Sequence, residues 1–386
     1  MIKLSIFILL VIFNITIASE PIYVSKFISH GESTPKFTED QIFNTTKLNY
    51  GGLESDKLTP IGVKHIWQFG FSSRIKYKNN RMLLSNSYTH KNLYIRGMMD
   101  NPSILSAYAF VIGIFPQTVE GIRFMNDFKD SVEEVTLDEL NSVRVSLNIP
   151  NQACGDQMLN YYGGNRDLEF LEHPLEMYPS LNDNITYNLN EAKILFERKY
   201  GDRMYKDMSE TIGVDLHLIT YSSAILYLDD YVTAKYNGFD VPYEYYQETK
   251  NIIQIYYKSY YKDGLFKDPN INKVFTNSYF KSLAKEIILK YENDQDINFG
   301  SSDNEYIDTV GLSAHFGNHQ TFLAIMHQLG EMDDYFPSFS EQITWELLKS
   351  GGQFKVKAEY DSKPMKLEGH ANPDGEMSLD DFVNYI

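Results

Sequence analysis

The sequence predicts an α/β protein whose core is interrupted by a mostly helical insertion, and three observations support this fold class. The first hundred residues alternate β-like runs with stretches of helical periodicity, as α/β domains do. Residues 120–299 space their apolar side chains mainly at helical intervals. From about residue 309 the chain returns to strand and helix in turn. We therefore expect a core made of residues 20–119 and 300–386, with a helical cap at 120–299.

The first core segment begins with a β-like apolar run at residues 22–28. Thr59 then precedes an apolar-periodic stretch that reaches Gly70, which predicts a helix. A further strand is predicted near 82–87, and Ser103 is followed by a second helix. Strands and helices thus alternate along this segment.

The insertion shows its clearest helical spacing at residues 190–208 and 253–260. In the second stretch, Ile253 and three tyrosines fall at positions i, i+3, i+4 and i+7. Because the chain holds 29 tyrosines in all, we interpret these as packing residues rather than as a platform for a ligand.

The last core segment predicts a strand at 309–315, followed by a helix through Phe322 to Leu329. Residues 353–360 have the pattern of an edge or hairpin strand. Ser378 has the side chain and position of an N-cap for a final helix at 379–386.

Composition narrows the possible functions. The chain has 386 residues, of which 43% are hydrophobic and 23% charged, as in ordinary soluble globular proteins. Its formal net charge of −17 argues against a nucleic-acid partner, because binding the phosphate backbone requires basic patches. Cys154 is the only cysteine, so no intrachain disulfide can form.

The N-terminus predicts a secretory route. Residues 1–19 contain a lysine near the start, an apolar run and a small-residue end, the three parts of a signal peptide. The apolar run is shorter than the roughly 20 residues that a spanning helix needs, and no later stretch is apolar enough to span. We expect a secreted protein, or one in a lysosomal or vesicular lumen, with no transmembrane segment in the mature chain. The glycosylation sequons at Asn44 and Asn184 agree with this route.

The most informative motif follows the first strand and reads Ser29-His30-Gly31-Glu32-Ser33-Thr34-Pro35. It resembles the R-H-G-x-R-x-P signature of the histidine acid phosphatases, which form branch two of the histidine phosphatase superfamily. The resemblance places His30 at the position of the nucleophile. Ser29 and Ser33 stand where the family has two arginines that bind phosphate.

Further motifs agree with this resemblance in the expected order. The segment Leu58-Thr59-Pro60-Ile61-Gly62 looks like the family's L-T-x-x-G helix start. The stretch from Ile95 to Ala107, continuing to Pro116, is similar to R-S-T-x-x-x-R-T-x-x-S-A-x-x-x-x-x-G-L-F-P. This alignment places Arg96 on a phosphate-binding arginine and Pro102 at a further basic position.

The family's H-D dipeptide aligns with Asn318-His319. This register follows from counting back without gaps from Pro337-Ser338-Phe339-Ser340 and Glu346-Leu347, which look like P-P-Y-A and E-L. The alternative, Ser313-Ala314-His315, reads like the family's S-A-H but lies three residues earlier and requires an insertion in the following helix. We favour the ungapped register because helical periodicity tolerates insertions poorly.

The resemblance implies a three-layer, histidine-phosphatase-like core with a mixed sheet, and a reaction without metal or cofactor. In that reaction a histidine attacks phosphorus, arginines hold the phosphoryl oxygens and the aspartate of H-D protonates the leaving alcohol. Here His30 and Arg96 are expected to remain. Ser29, Ser33 and Asn318 offer phosphate polar groups without charge, and His319 replaces the acid.

We therefore predict a catalytically impaired phosphatase with a binding or structural role, whose small-molecule ligand is phosphate or a phosphomonoester. The alternative is an active acid phosphatase in which His319 serves as the acid and Lys36 or Lys91 restores positive charge. A third class, a calcium-binding adhesion or matrix protein, rests on residues 370–381, which imitate a calcium loop. A metal site at His315 and His319 is not favoured, because Gly317 interrupts helical spacing.

Overall fold

The computed structural model describes residues 19–34, 57–77, 83–84, 93–98, 100–115, 179–212, 215–236, 246–294, 310–332 and 338–386. Within these residues one mixed sheet of seven strands forms the core, in the order β2-β3-β1-β4-β5-β6, with β7 beside β5. The strands are β1 Glu20–Ser29, β2 Leu93–Gly97, β3 Leu312–Gly317, β4 Gln342–Ser350, β5 Gln353–Tyr360, β6 Lys363–Pro364 and β7 Glu376–Ser378.

The sheet has a parallel half and an antiparallel half. Strands β2, β3 and β1 run parallel, with Ser29 paired to Gly317 and Arg96 paired to His315. Strand β4 runs antiparallel to β1, and β5, β6 and β7 continue in antiparallel fashion. The carboxyl ends of the three parallel strands therefore meet at one edge, where loops that bind ligands commonly gather.

Helices cover both faces of the sheet. They are α1 Pro60–Tyr77, α2 Asn101–Ile114, α3 Asn182–Ile212, α4 Tyr221–Tyr236, α5 Tyr246–Tyr257, α6 Pro269–Asp294, α7 His319–Gln328 and α8 Leu379–Tyr385. A π-helical segment, Lys258–Leu265, continues α5. Short 3-10 turns occur at Pro179–Leu181, Leu216–Leu218 and Leu367–Gly369.

Strand alternation divides the core into two layers of buried side chains. Val24 and Ile28 belong to the cluster that includes α1 and α2. Tyr23 and Phe27, which point to the opposite face, belong to the cluster that includes helices α3 to α7. Because successive side chains of a strand point to opposite faces, this second and larger cluster packs α3 to α7 on the face of the sheet opposite to α1 and α2.

Helices α1 and α2 cross at two glycines. A Cβ atom on Gly70 would lie 2.1 Å from the carbonyl oxygen of Phe110, and one on Gly113 would lie 2.2 Å from that of Trp67. No side chain fits between the two backbones at this distance. The N-terminal turn of α1 lies beside the loop that follows β1, where Gly62 meets Gly31.

Most sequence predictions of secondary structure are confirmed. The strands predicted at 22–28 and 353–360, and the helices after Thr59, from Ser103, at 190–208 and at 379–386, are all present. The strand predicted at 309–315 lies at Leu312–Gly317 instead. Strands β2 and β4 were not predicted, and most of 82–87 lies outside the described residues.

The fold class is likewise that of an α/β protein with a mixed sheet and helices on both faces. The expected boundaries of the insertion, near residues 120 and 299, fall outside the described ranges. Among the helices that are described, none combines the length and the apolarity that crossing a membrane requires.

Candidate functional site

The candidate site is built where β1 ends, at His30. The backbone N–H of His30 donates to the carbonyl oxygen of Gly317 at the end of β3, over 3.0 Å. The carbonyl oxygen of His30 accepts from the N–H of Ser340 over 3.2 Å. The N–H of Ser29 donates to the backbone carbonyl oxygen of Glu341 over 2.9 Å. His30 is therefore held from both sides, by the neighbouring parallel strand and by the segment that leads into β4.

The imidazole of His30 is fixed in one tautomer. Its Nδ1 lies 2.8 Å from the carbonyl oxygen of Gly31. A carbonyl oxygen only accepts hydrogen bonds, so Nδ1 carries the proton and donates it. In the neutral ring, Nε2 then holds the lone pair, which is the form that a nucleophile at phosphorus requires.

The loop after His30 is clamped against α1 and α2. A Cβ atom on Gly31 would lie 2.6 Å from the carbonyl oxygen of Gly62, and one on Gly62 would lie 2.3 Å from that of Glu32. The N–H of Gly31 donates to Ser106 Oγ over 3.0 Å. This explains why the glycines of two distant motifs occur together, since their backbones touch.

The two serines at the expected arginine positions are both buried. Ser29 is 0% exposed and Ser33 is 7% exposed. The hydroxyl of Ser29 has no hydrogen-bond partner among the described residues. Each serine brings a short neutral hydroxyl into a closed environment, where two guanidinium groups would bring charge and paired donors.

Asn318 and His319 begin α7 beside His30. Asn318 is the N-cap of this helix, and its Oδ1 accepts from the N–H of Thr321 over 2.8 Å. The amide group Nδ2 is therefore the part of Asn318 that can donate to a ligand. Burial, together with the charge of His30, lowers the pKa of His319 to about 3. The hydrogen bond from the backbone N–H of His30 to the carbonyl oxygen of Gly317 places the start of α7 beside the end of β1.

His315, the alternative candidate for the H-D motif, occupies different surroundings. It lies within β3, where burial and the charge of Arg96 lower its pKa to about 3. Its Nε2 is 3.8 Å from Glu286 Oε1. Asn318 and His319 thus directly follow the residue that is hydrogen-bonded to His30, whereas His315 lies near Glu286, and the ungapped register remains a prediction.

Arg96 belongs to a buried polar cluster beneath the strand ends. It is level with His315 in the sheet, two residues before the pair Ser29 and Gly317. At about 3.3 Å per residue this offset is roughly 7 Å. The charge of Arg96 acts on both His315 and Glu286. Its predicted contact with phosphate remains a prediction.

Pro102 lies in the first turn of α2 and is buried. Asp100 caps this helix, and its carboxylate accepts from the N–H of Ser103 over 2.7 Å. Proline in the first helical turn needs no amide partner, so it suits this position structurally. The residue at the further basic position of the family thus supplies a helix start, and no donor for phosphate.

Aromatic side chains from α4, from α5 and from the segment before β4 lie near the two histidines. The ring of Phe339 lies 6.0 Å from that of His30, and Tyr236 of α4 contacts Phe339 edge-on at 5.8 Å. The ring of Tyr257, at the end of α5, lies 6.1 Å from that of His319. Aromatic side chains of α4, α5 and the segment before β4 therefore line one side of the site.

Sequence reasoning missed two residues that shape this site. Glu32 is buried, and its Oε1 lies 2.7 Å from Nδ1 of His65 in α1. Its Oε2 accepts from Ser340 Oγ over 3.1 Å. The sequence did contain a signal for Glu32, because its carboxylate stands inside the S-H-G-E-S motif. His65 carried no comparable signal, since a single histidine on a helix has no distinctive spacing.

The other candidate features lie away from His30 or outside the description. In residues 370–381, Asn372 Oδ1 accepts from the N–H groups of Asp374 and Glu376 over 2.9 and 3.0 Å, and Ser378 caps α8. These bonds form a turn and a helix cap. The described residues contain no group of three side chains suited to a metal ion. Asn44, Lys36, Lys91 and residues 1–18 lie outside the described ranges.

Comparison with known proteins gives partial sequence matches and extensive structural ones. No protein-family model matches the chain. A Caenorhabditis elegans protein named as an acid phosphatase is 32% identical over 81 residues, which are 20% of this chain and 19% of that protein. Acid phosphatase 11 of the same organism is 26% identical over 101 residues, 26% of this chain and 24% of that protein. The chain thus matches about a fifth to a quarter of the length of these curated relatives.

Solved phytase structures share the whole fold. The Hafnia alvei phytase in complex with tartrate superposes with a TM-score of 0.62 at 12% identity, covering 95% of this chain and 96% of the phytase. The Klebsiella phytase gives a TM-score of 0.52 at 9% identity, with coverage of 95% and 94%. The phytase of D. castellii gives 0.52 at 12% identity, with coverage of 95% and 79%. At these identities the likeness establishes the fold.

Proposed function

We propose, from the premise that this chain is a divergent protein with the histidine acid phosphatase fold, that it is a catalytically impaired relative of these phosphatases. In this proposal it binds phosphate or a phosphomonoester at His30 and turns it over poorly or not at all. Its role would then be one of binding or structure in the secretory pathway.

One observation carries the proposal: buried serines fill the two positions near His30 where the family has arginines, Ser29 at the end of β1 and Ser33 in the following loop. Charge on three phosphoryl oxygens needs fixed positive donors during transfer. Loss of one such donor costs roughly a hundredfold or more in turnover. The losses at Ser29 and Ser33 do not simply add within one cooperating site, yet together they remove most of the rate.

The residue at the acid position supports the same conclusion. With a pKa of about 3, His319 is neutral at the mildly acidic pH at which acid phosphatases work. A neutral imidazole is a very weak acid, so His319 cannot protonate a leaving alcohol efficiently. This disfavours the idea that His319 replaces the aspartate in an active enzyme.

A second candidate function is an active acid phosphatase that works through a phosphohistidine. The fixed tautomer of His30 favours it, because the hydrogen bond from Nδ1 to Gly31 leaves Nε2 for attack on phosphorus. Nucleophilic competence at His30 would then survive while oxyanion stabilisation is weak.

Turnover of 4-nitrophenyl phosphate at pH 5 separates the two functions. We expect the purified protein to hydrolyse it at rates near background, with little difference between wild type and His30→Ala. Mass spectrometry after acid-free quenching would also detect a phosphate bound covalently to His30. Turnover at ordinary enzymatic rates that is lost in His30→Ala would support the active phosphatase and refute the impaired one.

We also propose that the protein is secreted or luminal and is glycosylated at Asn184. Asn184 and Thr186 are both exposed on the first turn of α3. Expressed through a eukaryotic secretory pathway, the protein should carry a glycan that peptide N-glycosidase F removes, converting Asn184 to aspartate. Thr186→Ala should abolish this modification while keeping the asparagine. An unmodified peptide containing Asn184 from the secreted wild type would contradict the proposal.

A further inference from the structure

Glu32 joins three separate parts of the site through one buried carboxylate. The residue is 1% exposed. Its Oε1 lies 2.7 Å from His65 Nδ1 on α1, and its Oε2 accepts from Ser340 Oγ over 3.1 Å. Both oxygens are therefore committed, one to a helix and the other to the segment before β4.

The backbone of Glu32 is fixed as firmly as its side chain. Its carbonyl oxygen accepts from the N–H of Thr59 over 2.8 Å and from Thr59 Oγ1 over 2.9 Å. Gly62 packs directly on the same carbonyl group. Since Thr59 and Gly62 stand at the start of α1, the carboxylate is aimed from a rigid support.

Ser340 transmits this arrangement to His30. Its N–H donates to the carbonyl oxygen of His30, while its hydroxyl donates to Glu32. Ser340 has a φ of 58°, a left-handed conformation that is unfavourable for a residue with a side chain. The two hydrogen bonds compensate for this strain, so a change at Glu32 should release Ser340 and, with it, the backbone of His30.

A buried carboxylate also needs a positive partner, because burial penalises its ionised form. Among the described residues, the cationic group in contact with Glu32 is His65. The side chain of His65 is 41% exposed, so it exchanges protons with solvent. The hydrogen bond to Glu32 raises the pKa of His65, while partial burial and the nearby charge of Lys64 lower it, and the net direction is upward.

We infer that Glu32 is a positioning residue for His30, and that protonation of His65 determines the pH range in which Glu32 holds the site in order. This inference rests on the proposed binding of phosphate at His30. The chain of contacts runs from His65 through Glu32 and Ser340 to His30.

The direction of the pH effect follows from the sign of the shift. The pKa of His65 is raised in the folded protein above its value of about 6.5 in an unfolded chain. The stabilisation is therefore complete below about pH 6.5 and is lost as pH rises through the folded pKa. Order at His30 should accordingly be greatest at acidic pH, where a luminal or secreted protein of this fold would act.

Nuclear magnetic resonance of ring-labelled histidines tests the inference without requiring catalysis. In the wild type, the ring signals of His30 should shift when His65 titrates, in addition to any shift from His30 itself. That second inflection should vanish in His65→Gln and in Glu32→Gln. Lys64→Gln, which removes the adjacent charge on the same helix, should retain it. His30 signals that follow the same pH curve in all four proteins would overturn the inference.

Binding of inorganic phosphate at pH 5, measured by calorimetry, provides the second readout. The Kd should rise about tenfold in Glu32→Gln, the factor expected for loss of a hydrogen bond to a charged group, and stay unchanged in Lys64→Gln. If Glu32→Gln fails to fold, Ser340→Ala removes the hydroxyl link alone and should shift the His30 signals in the same direction. An unchanged His30 spectrum in that variant would also overturn the inference. Absence of phosphate binding in the wild type would instead refute the proposed function, because the coupled titration is read without ligand.

Discussion

Replacing Glu286 by alanine is expected to lower the free energy of unfolding by about 3 to 5 kcal/mol, because three hydrogen-bond donors lose their acceptor and an unsatisfied buried donor costs roughly 1 to 3 kcal/mol. Glu286 Oε2 accepts from Tyr23 over 2.5 Å and from Ser313 over 3.2 Å, and Oε1 accepts from Ser282 over 3.3 Å. The carboxyl group also faces the buried charge of Arg96. Removing the carboxyl group leaves the hydroxyl groups that donate to it, and the charge of Arg96, buried without this partner. Urea unfolding at pH 5 measures the loss.

Glu286→Gln is the matched control, because an amide keeps the shape and an accepting oxygen. Burial raises the pKa of Glu286 despite its hydrogen bonds. Between the unfolded pKa of about 4.3 and the raised folded value, the native state holds a proton that the unfolded state has lost, so stability falls as pH rises. The glutamine variant should lack this slope. A loss below about 1 kcal/mol in Glu286→Ala would contradict the role assigned to the cluster.

Strands β5 and β4 show which sequence signals are sufficient to predict a strand and which are not. Strand β5 was predicted at its observed bounds because its apolar and polar residues alternate between two turns. Strand β4 was missed because it is buried on both faces from Gln342 to Leu348 and includes the polar Thr344 and Glu346. Those polar residues are satisfied by partners far away in sequence, such as Lys26 for Thr344 and Tyr77 for Glu346. No local pattern reveals such partners.

In the candidate site, too, some features can be predicted from the sequence and others require the folded structure. Motif order alone predicts that His30 and His319 share one site, because counting back without gaps from residues 337–347 places His319 in the second motif. The place of Arg96 could not be read from its motif. It depends on strand register, since Arg96 stands level with His315 and not with Ser29. The roles of Glu32 and His65 depend on the backbone contact between the loop after His30 and the first turn of α1, which only the folded chain displays.

Restoring the acid by His319→Asp is expected to raise the hydrolysis of an alkyl phosphate at pH 5 by about a hundredfold or more, the range typical of general acid catalysis. The burial that lowers the pKa of His319 would raise the pKa of an aspartic acid in its place. Such a group would be protonated at acidic pH and could deliver its proton to the leaving alkoxide. Glycerol 2-phosphate is a suitable substrate, because its leaving group is strongly basic.

Comparing the rate gains on two substrates distinguishes restored acid catalysis from a general change in the site. 4-Nitrophenolate leaves readily without a proton, so 4-nitrophenyl phosphate should gain much less from His319→Asp. His319→Asn places a group of similar size without an acidic proton and should give no gain on either substrate. Addition of His30→Ala should remove the gain, since the same nucleophile is required in both reactions. Equal improvement of both substrates would show that residue 319 acts by shaping the pocket, and that the missing acid does not limit the rate.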